Sequence, residues 1–477
     1  MSSLDILQRL VVYDGVLPAD SCFSQGYLAT DADQSLYLPT AECVPENAAT
    51  FDLGLGRFID IPADTVELVW VNEASLEDEL LDELKPTNPW GYMDAQLNNV
   101  LQTIHRHNVE ELQHMLDQSS LLIDPIDAIA LYRTSTASLF AFRGLSSSHF
   151  ALDSVLSPIH KATVISFPPT PLVPVPADDV ARVRGLISGL SHNKSIAHVV
   201  DSLSIVQMHK DITYLTGEAV DSFIESRHSF HPDTINAAQW ISTQIESTGA
   251  SCELRPFLSG FAPNVICRYN GTEDTNAIVL LSAHYDSRGS YGSTRAPGGD
   301  DDGSGTVSVL SIARTIGKMG ITFKSDVELC LFAGEEQGLL GSKAYSRELR
   351  EADANITLMI QADMLAYHKP GEPPQLGLPD RIGTPEVAQL VANISFLYSP
   401  ELEVGFTPAC CSDHQSFHEQ GFAATQVFER AGPIADPLYH NSGDLSLRIG
   451  YDLHQTRSIG KVQFATLLHA AGFDLPA

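Results

Sequence analysis

The chain has 477 residues, 43 % of them hydrophobic and 18 % charged, with a formal net charge of −32 at pH 7. At about 100–200 residues per domain this is two or three domains of ordinary globular composition. The negative excess argues against nucleic acid or an anionic membrane surface as a partner, and no apolar window reaches the roughly 18 residues of a membrane span.

Residues 1–166 read as an α+β region. Leu68–Val71 and Leu139–Phe142 have strand character. Over Asp94–Leu116, apolar residues (Leu97, Val100, Leu101, Ile104, Val109, Leu112, Met115) recur mostly at three- and four-residue steps, the spacing of a helix. His105, His107 and His114 on that helix read as solvated polar-face residues. No chemistry is visible here, so the region reads as a separate domain of unknown function. Met1–Val12 contains Asp5 and lacks a basic segment followed by an apolar run, so it shows no signal peptide. The seven cysteines include no Cys-x-x-Cys pair, which argues against a cysteine zinc site.

Phe167–Ala177 (FPPTPLVPVPA) holds five prolines in eleven residues and suits a stiff connector. With the helix that follows, it spans 167–195. Helical stretches are expected at Asp178–Leu190, Ser195–Thr216, Thr234–Thr248, Gly305–Met319, Ser342–Glu351 and Pro385–Ile394. Apolar strands are expected at Asn264–Tyr269, Ala277–Ala283, Asp326–Ala333, Ile356–Ala362 and Ala423–Phe428. This alternation predicts an α/β domain over 196–477, with helices on both faces of a sheet.

Ligands of open α/β sheets gather at the carboxyl ends of strands. His284-Tyr-Asp286, Asp300-Asp301-Asp302, Glu335-Glu336 and Asp363-Met364 follow successive strands, and His440 and Asp444 come late in the chain. Two histidines and three carboxylates can hold two zinc ions if one carboxylate bridges. Adjacent Glu335 and Glu336 point in different directions, so one can coordinate while the other serves as general base. Asp286 and Asp444 could each accept an imidazole N–H from a ligand histidine and fix its tautomer. His414 and His418, one turn apart, are a weaker zinc pair.

The segments HYDS, PGGDDDGSG, GEEQGLLGS, ADM, CSDHQSFHEQGFAA and YHNSGD resemble the zinc-dependent aminopeptidases of metallopeptidase family 28 over residues 200–475. The resemblance implies the zinc exopeptidase fold, a mixed and mostly parallel sheet. It also implies two zinc ions per chain, one held by His284, Asp301 and Asp363, the other by Asp301, Glu336 and His440. In that scheme Glu335 is the general base, Asp286 orients His284, and Met364, Cys411 and Phe428 line an apolar side-chain pocket. The implied substrates are peptides with a free N-terminus. A pro- or regulatory role for residues 1–166 is a hypothesis that rests on this resemblance.

The sequons at Asn193, Asn270, Asn355 and Asn393, together with the resemblance, fit a secreted or vacuolar protein, but no signal peptide is visible, so the compartment is left open. One departure from the family is local. Thr407 stands where some members have the first cysteine of a disulfide, and Cys410 and Cys411 are adjacent. Two rival readings are carried forward. One is a carboxypeptidase or other zinc exopeptidase on the same fold; a carboxypeptidase would use Arg288, Arg295 or Arg430 for the substrate carboxylate. A non-catalytic homologue would lack ligands that are present here.

Overall fold

The computed structural model describes residues 9–18, 21–31, 33–40, 43, 56–85, 87–115, 127–144, 152–165, 169–409 and 411–476. The chain divides into two compact units, residues 1–74 with 81–172 and residues 75–80 with 173–477.

The first unit holds two four-stranded antiparallel sheets. In the first, Tyr27–Asp31, Gln34–Tyr37, Arg9–Asp14 and Gly56–Asp60 lie in that order; in the second the order is Asp127–Arg133, Ala137–Arg143, Thr65–Glu73 and His160–Ile165. Thr65–Glu73 shows the period of two that a strand buried on both faces requires. Leu68 and Trp70 join one core cluster, Val69 and Val71 the opposite one. The long helix runs Pro89–Met115 and supplies Met93, Leu97 and Leu101 to that second cluster. It begins five residues before the periodicity does, because proline at the first helical position is already set to helical φ. The side chains of His105, His107 and His114 lie outside the described residues.

The second unit is built on a six-stranded mixed sheet. Its strands are β1 (Ser251–Arg255), β2 (Asn264–Tyr269), β3 (Ala277–His284), β4 (Asp326–Phe332), β5 (Asn355–Ala362) and β6 (Ala424–Val427), in the spatial order β6-β5-β3-β4-β2-β1. The pairs β3–β4, β3–β5 and β5–β6 are parallel; β2 runs antiparallel to both β4 and β1. Cys252 and Cys267, directly opposite across β1 and β2, form a disulfide.

Alternating strand residues again divide between faces. Val279, Leu281, Val327, Leu329, Leu358 and Ile360 face a core shared with α1 (Asp233–Glu246), α2 (Gly303–Met319), α4 (Pro385–Tyr398) and α6 (Leu453–Ala471). Ile278, Leu280, Cys330, Phe332, Ile356 and Met359 face α3 (Leu340–Glu351) and α5 (His414–Glu419) through Tyr345, Leu349 and Phe417. Helices therefore cover both faces. The stretch read as one helix over Ser195–Thr216 is two, Lys194–Val200 and Ile205–Leu215. Ser204 breaks it by capping the second, its side chain accepting from the Gln207 N–H. Among the described residues no helix is long and apolar enough to cross a membrane.

Candidate metal centre

Parallel strands β3, β4 and β5 end side by side, so the residues just beyond them converge. His284 closes β3; Glu335 and Glu336 follow β4; Asp363 follows β5. The three consecutive aspartates before α2 part company. Asp300 accepts the Ala366 N–H at 2.8 Å. Asp302 caps α2, accepting the N–H groups of Gly305 (2.9 Å), His284 (3.1 Å) and Met364 (3.1 Å), and so ties the ends of β3 and β5 to the helix start. Asp301 alone of the three reaches both histidines, Oδ1 lying 3.3 Å from His284 Nε2 and Oδ2 3.3 Å from His440 Nε2.

Around His284 Nε2 the other carboxylates stand at 3.8 Å (Asp363 Oδ1) and 4.0 Å (Glu335 Oε2), and Glu336 Oε2 is 3.1 Å from His440 Nε2. Two buried groups here can each hold a cation: His284, Glu335 and Asp363, and Asp301, Glu336 and His440. All six residues are buried. Burial pushes the His284 imidazole down, and the carboxylates, led by Glu335, outweigh it and hold the ring well above its ordinary value. Burial likewise raises Asp301, while His284 and His440 outweigh it and hold the carboxyl below the usual range. His284 Nε2 and both Glu336 oxygens are buried and make no hydrogen bond among the described residues. Buried acceptors left bare beside clustered carboxylates are what a cation site requires, and the imidazole and carboxylate donors suit zinc.

The supporting residues differ in part from expectation. Asp286 serves the site in two ways. Its main-chain carbonyl lies 3.1 Å and its Oδ1 3.5 Å from His284 Nδ1, and the carboxylate accepts from Ser229 Oγ (2.6 Å) and from the N–H groups of Glu335 (3.3 Å) and Glu336 (3.4 Å). Asp444 acts on the aspartate loop. Its carboxylate takes the N–H groups of Asp300 and Asp301 and an Arg448 N–H, so it holds the aspartate loop. The group beside His440 Nδ1 is Arg288 Nη1, at 2.9 Å.

Met364 and Phe428 sit on adjoining strand ends, where Asp363 N donates to Val427 O and Glu429 N to Met364 O. Cys411 is disulfide-bonded, and Cys330 is the free thiol among the described residues; Cys410 lies outside them. His414 Nε2 meets Ile382 O and His418 Nδ1 faces Thr384 Oγ1, so these two histidines are engaged apart from one another. Sequence reasoning missed Ser229, the triple role of Asp302, the buried Arg227 and the half-buried Arg448. No spacing signal marks a residue whose role is to bind main chain.

Residues 264–464 match the family model described as Peptidase family M28. A probable leucine aminopeptidase of Arthroderma otae is 28 % identical over 277 residues, 55 % of this chain and 72 % of that protein. Leucine aminopeptidase 1 of Sclerotinia sclerotiorum is 28 % identical over 281 residues, 54 % of this chain and 70 % of its own length. Among solved structures, the LapA aminopeptidase of Legionella pneumophila aligns at TM-score 0.55 and 17 % identity, over 74 % of this chain and 95 % of that one. LapB from the same organism aligns at TM-score 0.57 and 14 % identity, over 85 % and 100 %. At these identities the structures speak to the fold alone.

Proposed function

We infer, from the premise that residues 264–464 form a domain of peptidase family M28, that this chain is a zinc-dependent aminopeptidase with a two-metal centre and a glutamate base. The observation that carries this reading is the buried Asp301 carboxylate, which spans His284 and His440 at 3.3 Å each. His284, Asp301 and Asp363 would hold one zinc, and Asp301, Glu336 and His440 the other. Bound there, zinc would supply Lewis-acid polarisation of the scissile carbonyl and a lowered pKa for water.

Glu335 is assigned as the base because, of the three carboxylates around His284 Nε2, it stands farthest away, at 4.0 Å against 3.3 Å and 3.8 Å. Its carboxylate takes a proton from the attacking water as the new C–O bond forms. It returns that proton to the amine as the C–N bond breaks. Asp286 steadies both ends of this arrangement, facing His284 Nδ1 and accepting the N–H groups of Glu335 and Glu336. The buried carboxylates give the pocket the negative potential that a substrate α-ammonium seeks. Met364, Cys411 and Phe428 are assigned to the side-chain pocket, which favours an apolar first residue.

The carboxypeptidase alternative loses one of its three cations, since Arg430 is engaged by Glu372 at 2.7 Å and Glu77 at 3.2 Å. The test of roles is Glu335→Gln. It should keep zinc content and lower kcat by about 10²–10⁴-fold; turnover at the wild-type rate overturns the assignment.

A further inference from the structure

Arg227, in the loop before α1, is 0 % exposed, and it makes no ion pair among the described residues. Its guanidinium is spent on main-chain carbonyls. Nε donates to Tyr285 O (2.8 Å), Nη1 to Leu215 O (3.1 Å) and to Pro297 O, and Nη2 to Gly298 O (2.6 Å). Its own main chain joins two of these three segments: its N–H donates to Ala296 O at 2.9 Å and its carbonyl accepts from Ser287 N at 3.1 Å. Tyr285 is the residue after His284, and Pro297 and Gly298 lead into Asp301. Burial pushes the guanidinium below its ordinary value, and negative charge on Asp444, Asp302 and Asp286 counters part of that.

Two glycines flanking Asp301 pack closely against this side chain among other neighbours. A Cβ on Gly298 would lie 2.9 Å from Nη2, and one on Gly303 3.1 Å from the same atom. Gly298 also has φ +57°, a region that suits glycine. A planar fork with five donors can join several carbonyls at once, whereas a lysine ammonium is a single point with three donors.

We propose that Arg227 is a positioning residue that sets the spacing between His284 and Asp301, and so whether Asp301 can serve both metals. This rests on the reading of Asp301 as the shared ligand.

The test uses full-length Arg227→Lys and Arg227→Met. Each is titrated with cobalt(II) while the visible d–d spectrum is followed, and then assayed zinc-loaded on leucine-p-nitroanilide. Residues supporting metal ligands typically change metal affinity by about 10–100-fold. The expected result is two cooperatively unfolding proteins whose second cobalt equivalent binds about 10–100-fold more weakly, Lys less affected than Met, with an altered spectrum. kcat should fall by roughly 10²-fold, as for an ångström-scale displacement, with KM little changed. A folded variant with two wild-type-like metal affinities and wild-type kcat overturns the proposal. Failure of both variants to unfold cooperatively also overturns it, by assigning Arg227 to the stability of the whole unit. A wild-type chain that binds only one metal or leaves the substrate uncleaved would instead contradict the reading of the site itself.

Discussion

Asp444 offers a sharp quantitative test, because its side chain has one task and that task is countable. Both its oxygens lie 3.0 Å from the Asp300 N–H, one lies 3.1 Å from the Asp301 N–H, and Arg448 Nη2 donates at 2.9 Å. Asp444→Ala leaves two buried main-chain donors without an acceptor, at about 1–3 kcal/mol each. Arg448 keeps its second partner, Asp436, so no cation is stranded. The expected loss in unfolding free energy is about 2–6 kcal/mol, a drop in Tm of roughly 4–20 °C for a unit of this size. The loosened loop carries Asp301, and a displacement of about 1 Å costs on the order of 10²-fold in kcat. Asp444→Asn keeps one accepting oxygen and should fall between. Calorimetry of both variants with kcat on leucine-p-nitroanilide decides the matter. A melt within about 2 °C of wild type, together with an unchanged kcat, would refute the reasoning, since no loss would then have followed from the orphaned donors.

His418 makes acid stability predictable. Burial holds its imidazole down to about 4. The unfolded chain therefore binds a proton near pH 6.5 that the folded chain refuses, so stability falls as pH drops from about 6.5 to about 4, by up to roughly 3 kcal/mol. His418→Gln should flatten that part of the urea-unfolding profile relative to wild type; an identical profile would show another group at work. Gly341→Ala would put a Cβ 2.2 Å from Asn264 Oδ1 and 2.3 Å from Ala333 O. The backbone must shift, so about 1–3 kcal/mol of stability should be lost in thermal melts. Chelation should lower Tm measurably, since a ligand at a hundredfold excess over Kd contributes about 2.7 kcal/mol per site. A melt unaffected by EDTA, on protein shown to have lost its metal, would contradict a structural contribution from the ions.

Much of the site was legible in the sequence because parallel strands deliver their ends to one edge. A histidine, two glutamates and an aspartate placed just after three apolar runs must meet if those runs pair in parallel, as β3, β4 and β5 do. The hold of Asp444 on the aspartate loop was not legible, because a four-residue separation from His440 does not say where the side chain points outside a helix. Here Asn441 to Asp444 form a turn that directs the carboxylate to the aspartate loop instead. Arg227 was not legible at all. An arginine before a helix ordinarily reads as solvated, and only the fold reveals carbonyls from three segments around it. The break at Ser204 was missed for a related reason: apolar periodicity runs through it, and a cap is a local main-chain event.

The central claim is a two-metal aminopeptidase, and it is tested most directly by initial rates on leucine-p-nitroanilide and its N-acetyl derivative, with zinc determined on the same sample. The account predicts cleavage of the free amine only, with about two zincs per chain, as a shared carboxylate between two histidines requires. Equal cleavage of the acetylated substrate, or full turnover with a single bound zinc, would contradict it.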